Sequence, residues 1–230
     1  MNNIEKIKHE IKSVSDPQKA KILQRFFKTE KGEYGEGDIF LGISVPKQRK
    51  IAKRYKHLKL SEIQELLNSK YHEHRLIALL ILVEKFPSQK DAIYKFYLKN
   101  TKHINNWDLV DLSAEKIIGR YLIEKNDISI LKKLAKSKNL WARRIAILAT
   151  FHFIKNQRYK ECFTIAKLLL NDEHDLIHKA VGWMLREVGK RISEAKEEEF
   201  LHKYYKTMPR MTLRYAIERF SKNKRRQYLT

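Results

Sequence analysis

The sequence predicts an all-α fold built from repeated pairs of helices. Apolar residues recur at three- and four-residue spacing along almost the whole chain, and no convincing period-2 segment is present. Glycine and proline are scarce, with 7 and 4 among 230 residues, which favours helices joined by short polar connections over a sheet with many tight turns. A recurring segment, described below, indicates that the helices are organised as repeats.

The N-terminal part divides into a helical block and a loop. We expect residues 1–28 to form a helical cap and residues 29–46, which concentrate glycines and end at a proline, to form an extended loop. The repeats then occupy residues 47 to about 225, so that 1–230 is a single domain.

Four segments place a basic residue just before an apolar helical stripe: HRLIALLIL, ARRIAILAT, HKAVGWMLR and LRYAIERF, with Arg75, Arg144, Lys179 and Arg214 as the basic residues. Lys179 stands 35 residues after Arg144 and 35 before Arg214. The gap between Arg75 and Arg144 is 69 residues, which is nearly two periods. Its midpoint falls at Val110 and Asp111 in the helical segment WDLVDLSAEKIIG. A period of about 35 to 40 residues is typical of helix-pair repeats of the HEAT or TPR kind. Since one position in every repeat lines one surface of such an array, we expect a cationic stripe.

The charge balance predicts a polyanionic partner. Lys and Arg number 49 against 27 Asp and Glu, a formal net charge of +22. Because DNA affinity arises largely from phosphate contacts and displaced counterions, we expect nucleic-acid binding that weakens with salt. Charge alone leaves ribosome association and anionic membrane surfaces open.

Cysteine usage and hydropathy indicate a cytoplasmic protein. The single Cys162 has no partner for an internal disulfide, which suits a reducing compartment, and its setting predicts a core thiol. The longest apolar run, Leu76–Val83, is too short to span a bilayer, and the first residues do not resemble a secretory leader.

The sequence predicts no cofactor and no metal. A glycine-rich phosphate loop is missing, which argues against an ATPase or kinase. His72 and His74 stand two residues apart, a spacing that does not share a helical face, and no third ligand accompanies them. We expect both to be surface histidines at a repeat boundary.

Asp111 interrupts the basic stripe, and Trp107 stands one helical turn before it. An acid among cations would repel DNA phosphates, so its presence favours a chemical role. Cleavage of an N-glycosidic bond builds positive charge on the sugar, which a carboxylate and indole rings stabilise. We expect Trp107, Asp111, Arg144 and Trp183 to act together if neighbouring repeats stack in register.

Simpler explanations stand beside each of these assignments. Asp111 alone would ordinarily be a solvent-exposed helix carboxylate, and helical tryptophans such as Trp107 and Trp183 more often pack in a core. The basic residues Arg144, Lys179, Arg186 and Arg214 fit a solvated face equally well, although the 35-residue recurrence argues against chance.

The segments DIFLGISVPKQRK, WDLVD, LWARRIAIL and HKAVGWMLRE resemble the AlkC and AlkD DNA alkylation repair family, in the same order and from roughly Ala20 to Phe220. The resemblance implies a curved superhelical array of HEAT-like antiparallel helix pairs with a basic concave face. It also implies a monofunctional alkylpurine DNA glycosylase of base excision repair, acting on N3- or N7-alkylated purines in double-stranded DNA. We expect a monomer with no obligate protein partner.

The same resemblance suggests residue roles. The family's catalytic aspartate falls on Asp111, its two sugar-stacking tryptophans on Trp107 and Trp183, its phosphate-contacting arginine on Arg144 and a second DNA-contacting arginine on Arg186. The remaining predicted DNA-binding residues are Arg143, Lys179 and Arg214.

The chain also departs from the family pattern. Phe26 stands where the family often has tyrosine, and the insertion KTEKGEYGEGD lengthens the loop before FLGI. Some relatives of this fold lack the tryptophan and aspartate set and show no excision. A noncatalytic scaffold that binds damaged or branched DNA by shape is therefore an alternative, as is an adaptor whose groove binds an acidic protein.

Overall fold

The computed structural model describes residues 2–229, and within this range it contains α-helices and short 3₁₀ or π turns but no β-strand. A single parallel bridge joins Ile39 and Tyr71. The all-α prediction is therefore confirmed. The helices are α1 (Asn3–Ser13), α2 (Pro17–Phe26), α3 (Val45–Arg54), α4 (Leu60–Leu67), α5 (His72–Lys85), α6 (Lys90–Lys99), α7 (Trp107–Ala114), α8 (Arg120–Lys125), α9 (Ser129–Ala135), α10 (Leu140–Lys155), α11 (Lys160–Leu168), α12 (Asp175–Arg191), α13 (Glu194–Tyr204), α14 (Arg210–Ala216) and α15 (Lys222–Leu229).

The chain forms two compact units, Met1–Ser113 and Ala114–Thr230. The first unit is centred on α5, which packs against both α3 and α4, while α1 packs against α4. A helix that is apolar on all sides must be covered on all sides, and the run Leu76–Leu82 is buried throughout. This apolar run therefore makes α5 the core helix of the first unit.

The second unit is organised around α10, α12 and α14. Helix α10 packs against α12, and α12 packs against α14, so alternate helices form one layer. The intervening helices α9, α11 and α13 each contact a helix of this layer that is next to them in the chain, and α9 also contacts α11. Such alternation of two layers is the HEAT-like arrangement of helix pairs.

The repeat position deduced from the basic residues lies in the second turn, or just before it, of helices α5, α7, α10, α12 and α14. Arg75 is the fourth residue of α5, whereas Asp111, Arg144, Lys179 and Arg214 are each the fifth residue of α7, α10, α12 and α14. The repeat period is thus a real structural period, and Asp111 occupies the position that Arg or Lys takes elsewhere.

The glycine-rich segment forms a loop that ends where α3 begins, inside the predicted limits 29–46. Ser44 adopts extended backbone before α3, which starts at Val45 and carries Pro46 in its first turn. Proline is favoured there because the first N–H groups of a helix have no intrahelical acceptor. Gly42 has φ of +80°, and a Cβ at this position would collide with the backbone oxygen of Asp16, so the loop lies directly against the start of α2.

Cys162 is fully buried in α11, which confirms the predicted core thiol. Burial raises the pKa of this thiol to about 12, so it stays protonated at neutral pH. Among residues 2–229, every helix is either too short or too polar to cross a membrane.

We predict that Gly182→Ala destabilises the second unit. Alanine in a helix interior normally adds up to about 1 kcal/mol of stability. At Gly182, however, a Cβ would meet the Thr212 carbonyl oxygen and the Tyr215 side chain of α14, so α12 and α14 must separate. We expect the free energy of unfolding in urea to fall by roughly 1 to 3 kcal/mol. Unchanged or increased stability would contradict close packing of these two helices.

Candidate functional site

Helix α7 carries Trp107 and Asp111 on a partly exposed face, and its opposite face is buried. Both residues are half-buried, whereas Leu109 and Val110 are fully buried. The helix start is set locally, because the Asn106 side-chain oxygen accepts from the Trp107 N–H at 2.8 Å. Since residues four apart lie one turn above each other, the indole and the carboxylate are neighbours on the partly exposed face.

Trp107 is supported by aromatic rings from the end of α2. The Phe27 ring is stacked on the indole with centroids 4.9 Å apart and an interplanar angle of 11°. Phe26 meets the indole edge-on at 5.9 Å, and 62% of Phe26 remains exposed. Phe27 in turn stacks on Phe40 at 4.8 Å. The indole is therefore held by packing on one side rather than enclosed in a core.

A buried ionic network lies beneath these rings. The His72 Nδ1 atom is 3.0 Å from Asp38 Oδ2, and its Nε2 atom is 2.9 Å from Asp108 Oδ2. The His72 ring also stacks on Phe40 with centroids 4.3 Å apart. The histidine side chain is only 1% exposed, and it joins the loop, α5 and the first turn of α7.

The geometry requires a charged imidazole. A carboxylate facing each ring nitrogen needs a donor on each, and only the imidazolium form carries two N–H groups. Burial alone lowers the pKa of His72, but the charge and hydrogen bond of Asp108, together with those of Asp38, outweigh burial and raise the pKa to about 9. His72 is therefore protonated at neutral pH.

Asp38 is the centre of a second set of contacts. Its Oδ1 atom accepts from the Arg75 guanidinium at 2.6 Å and from the Asn105 side-chain amide at 3.0 Å. Burial opposes ionisation of Asp38, but the His72 hydrogen bond and the Arg75 charge lower its pKa below the ordinary value. Arg75 is only 5% exposed, so the expectation that it contributes to a cationic surface stripe is wrong.

Glu73 fixes the loop to α5. This fully buried carboxylate accepts from the backbone N–H groups of Leu41, Gly42 and Ile43, at 2.8, 2.8 and 3.2 Å. The first turn of α5 thus binds the loop through His72, Glu73 and Arg75. The expectation that His72 and His74 are surface residues is wrong, since they are 1% and 6% exposed.

Asp111 lies near a buried phenol. Burial raises the pKa of Tyr97, and the Asp111 charge raises it further, so the two groups interact electrostatically. The Tyr97 hydroxyl is 2.9 Å from the Ser113 hydroxyl, which links α6 to α7. No group of three or more His, Cys, Asp or Glu side chains suited to hold a metal ion is found among residues 2–229.

In the second unit, Trp183 and Arg186 stand on α12. Trp183 is half-buried, its Nε1 donates to Glu187 at 3.3 Å, and the Phe151 ring lies 6.0 Å away. Arg186 forms an ion pair with Glu218. The indole retains an accessible part, as a stacking role requires.

The other predicted DNA-binding residues differ in accessibility. Arg144 is 5% exposed and donates to the Leu176 backbone oxygen at 2.6 Å, and Arg143 pairs with Asp172 at 2.5 Å. Lys179 pairs with Asp175 at 2.7 Å, whereas Arg214 is exposed. Only Trp107 and Asp111 belong to the first unit, so joint action with the second-unit residues stays a prediction.

The network of Asp38, His72 and Asp108 was not expected from the sequence. One available signal was the polar run HEHR at the start of a helix that is otherwise apolar. Charged residues are rarely buried unless they are paired, so such a run indicates partners elsewhere in the chain. Nothing in the sequence identified those partners.

The chain matches the family model described as "DNA alkylation repair enzyme" over residues 7–220. Two solved structures are similar in fold. A predicted DNA alkylation repair enzyme from Enterococcus faecalis has a TM-score of 0.72 and 18% identity, covering 90% of this chain and 97% of its own. AlkD2 from Streptococcus mutans has a TM-score of 0.59 and 18% identity, covering 90% of this chain and 99% of its own. No curated protein matches the chain.

We predict that His72 stabilises the protein in a pH-dependent manner. Its pKa is about 9 when folded and about 6.5 when unfolded, so its contribution is fully present below about pH 6.5 and is lost as pH rises through 9. The difference in unfolding free energy between wild type and His72→Gln should shrink by roughly 2 kcal/mol between pH 7 and 10. Urea denaturation of both proteins at each pH measures this difference in unfolding free energy.

His74→Gln is the matched control for this measurement. Burial lowers the pKa of His74 to about 4, so this histidine is neutral throughout the range from pH 7 to 10. Its effect on stability should therefore be constant over that range. Equal pH slopes for the two variants would show that His72 is not the titrating group.

Proposed function

Because the chain belongs to the DNA alkylation repair enzyme family, we propose that it is a monofunctional DNA glycosylase. Its substrates are duplex DNA molecules with N3- or N7-alkylated purines, and the reaction is hydrolysis of the N-glycosidic bond. We place the activity in base excision repair in the cytoplasm, with the chain acting as a monomer and without a cofactor.

One observation carries this proposal. Asp111 is a half-buried carboxylate one turn after the half-buried Trp107, at the repeat position where α10, α12 and α14 carry Arg or Lys. A carboxylate at a place otherwise used for cations weakens phosphate binding, so a role in stabilising positive charge explains it better. The stacked ring of Phe27 and the edge-on ring of Phe26 hold the adjacent indole, which stays half-buried.

The chemistry follows from the charge of the substrate. An alkylated purine is cationic, so when its glycosidic bond breaks, the bonding electron pair neutralises the departing base. Positive charge then develops at the sugar carbon, where Asp111 stabilises it electrostatically and Trp107 stabilises it through the negative face of the indole. A water molecule adds to the same carbon and gives its proton to Asp111, leaving free base and an abasic site.

The second unit supplies further DNA contacts in this proposal. Trp183 stacks against the sugar backbone, and Arg143, Arg144, Lys179, Arg186 and Arg214 bind phosphates. A net charge of +22 supports attraction of the duplex. Arg144 is buried and bound to the Leu176 carbonyl, whereas Arg214 is exposed, so Arg214 is the better placed of the two to reach a phosphate.

We predict that Asp111→Asn strongly slows base release while preserving DNA binding. The amide keeps the shape of the side chain but loses its negative charge, which costs about 100-fold to 1000-fold in the rate of excision. Release of N7-methylguanine from duplex DNA under single-turnover conditions measures the rate. Titration of the same DNA measures affinity, which should be unchanged or increased because a repulsive charge is removed.

A noncatalytic scaffold gives a different result in the same experiment. If wild type releases no base above the uncatalysed rate, the glycosylase proposal fails. Under the scaffold alternative, wild type and Asp111→Asn bind damaged DNA and neither excises. Under the protein-adaptor alternative, DNA affinity disappears at physiological salt in both.

We predict that Arg214→Ala weakens DNA binding with little effect on the excision rate of bound DNA. Loss of one phosphate contact reduces the slope of log affinity against log salt by about one. Arg219→Ala is the control, because Arg219 is also exposed in the same unit but lies outside the repeat position. Equal effects of the two substitutions would indicate nonspecific attraction.

A further inference from the structure

We propose that His72 is a positioning residue for Trp107. It holds the indole against the substrate through two connections, the Asp108 carboxylate and the stacked rings of Phe40 and Phe27. This inference rests on the proposed glycosylase function. It assigns a catalytic consequence to a buried histidine that does not itself touch substrate.

The first connection runs through Asp108. One oxygen of this carboxylate accepts from His72 Nε2 at 2.9 Å, and the other accepts from the Leu109 backbone N–H at 2.8 Å. Asp108 directly follows Trp107 in the first turn of α7. His72 therefore holds the backbone of the turn from which the indole projects.

The second connection runs through aromatic rings. The His72 ring stacks on Phe40 at an interplanar angle of 20°, Phe40 on Phe27 at 24°, and Phe27 on Trp107 at 11°. The His72 ring also meets Phe27 directly, with centroids 5.3 Å apart and a tilt of 41°, so the imidazole, Phe40 and Phe27 form one cluster on which the half-buried indole stacks. Because protein interiors are close-packed, a shift of the first ring displaces the last.

The network depends on the charge of the histidine. The titratable and charged groups that face His72 are Asp38 from the loop and Asp108 from α7, with Arg75 of α5 bound to Asp38. Loss of the proton leaves one of the two buried carboxylates without its donor, which is costly in a low-dielectric interior. The side chains then rearrange, and the first turn of α7 loosens.

A displacement of Trp107 affects catalysis more than binding. Most DNA affinity comes from phosphates, whereas stabilisation of the sugar cation depends on the distance and angle of the indole. A misplacement of about 1 Å can reduce a rate by about 100-fold. His72→Gln should therefore lower the single-turnover excision rate at pH 7.5 by about 10-fold to 100-fold and change the DNA dissociation constant by less than about twofold.

The pH profile separates positioning from general loss of structure. With a pKa of about 9, the wild-type excision rate should fall about tenfold between pH 8 and 10, after subtraction of uncatalysed base loss. His72→Gln should show no such decline. His74→Gln, which removes another buried imidazole of α5, should keep the wild-type profile even where it lowers the melting temperature.

A readout without DNA reports on Trp107 directly. The chain contains 3 tryptophans, so Trp141→Phe combined with Trp183→Phe leaves Trp107 as the single indole fluorophore. Its emission and its quenching by iodide should change with a midpoint near pH 9. Adding His72→Gln should remove this transition, whereas adding His74→Gln should retain it, and circular dichroism verifies that each variant is folded.

The outcomes are distinguishable. Coincident transitions in emission and excision, both lost in His72→Gln, support the positioning role. Normal excision with no transition of Trp107 near pH 9 overturns it and leaves the glycosylase intact. If His72→Gln does not fold, the wild-type titrations decide alone. Absence of excision at every pH overturns the proposed function and, with it, this role, even where the fluorescence transition is present.

Discussion

The imidazolium of His72 between two aspartates is the interaction on which the first unit depends. It joins Asp38 in the loop, α5 and Asp108 in α7, three elements that are far apart in sequence. Glu73 and Arg75, on the same turn of α5, bind the same loop. Removal of one partner from a buried ionic network leaves an uncompensated charge, so these residues favour one arrangement of the loop and of the start of α7.

This arrangement explains why Trp107 and Asp111 are both held and accessible. Trp107 packs on Phe27 on one side, and the apolar residues Leu109 and Val110 anchor α7 in the core. The remaining face of α7 carries the indole and the carboxylate, half-buried and one turn apart. Rigid support with partial exposure is what electrostatic stabilisation of a transition state requires, because groups that are already oriented need no reorganisation during the reaction.

Basic residues in this protein have two kinds of surroundings. Arg75 and Arg144 occupy the repeat position but are buried and bound to Asp38 and to the Leu176 carbonyl, and Arg143 is paired with Asp172. Arg214, at the same repeat position, is exposed. Arginine suits both surroundings because its guanidinium offers five donors that are satisfied by buried oxygens or by solvent. A period of basic residues therefore marks a structural repeat, and burial distinguishes its members.

The sequence by itself determined the helical class, the repeat period and the pairing of Trp107 with Asp111, because helix periodicity and i, i+4 spacing are local properties of the chain. It also determined the family, through segments spread along the chain. Tertiary structure alone decided that His72, Arg75 and Arg144 are buried, and that Asp38 and Asp108 accept hydrogen bonds from the two N–H groups of one imidazole ring. Those partners are more than thirty positions apart, and no local preference specifies which distant carboxylate a buried cation will meet.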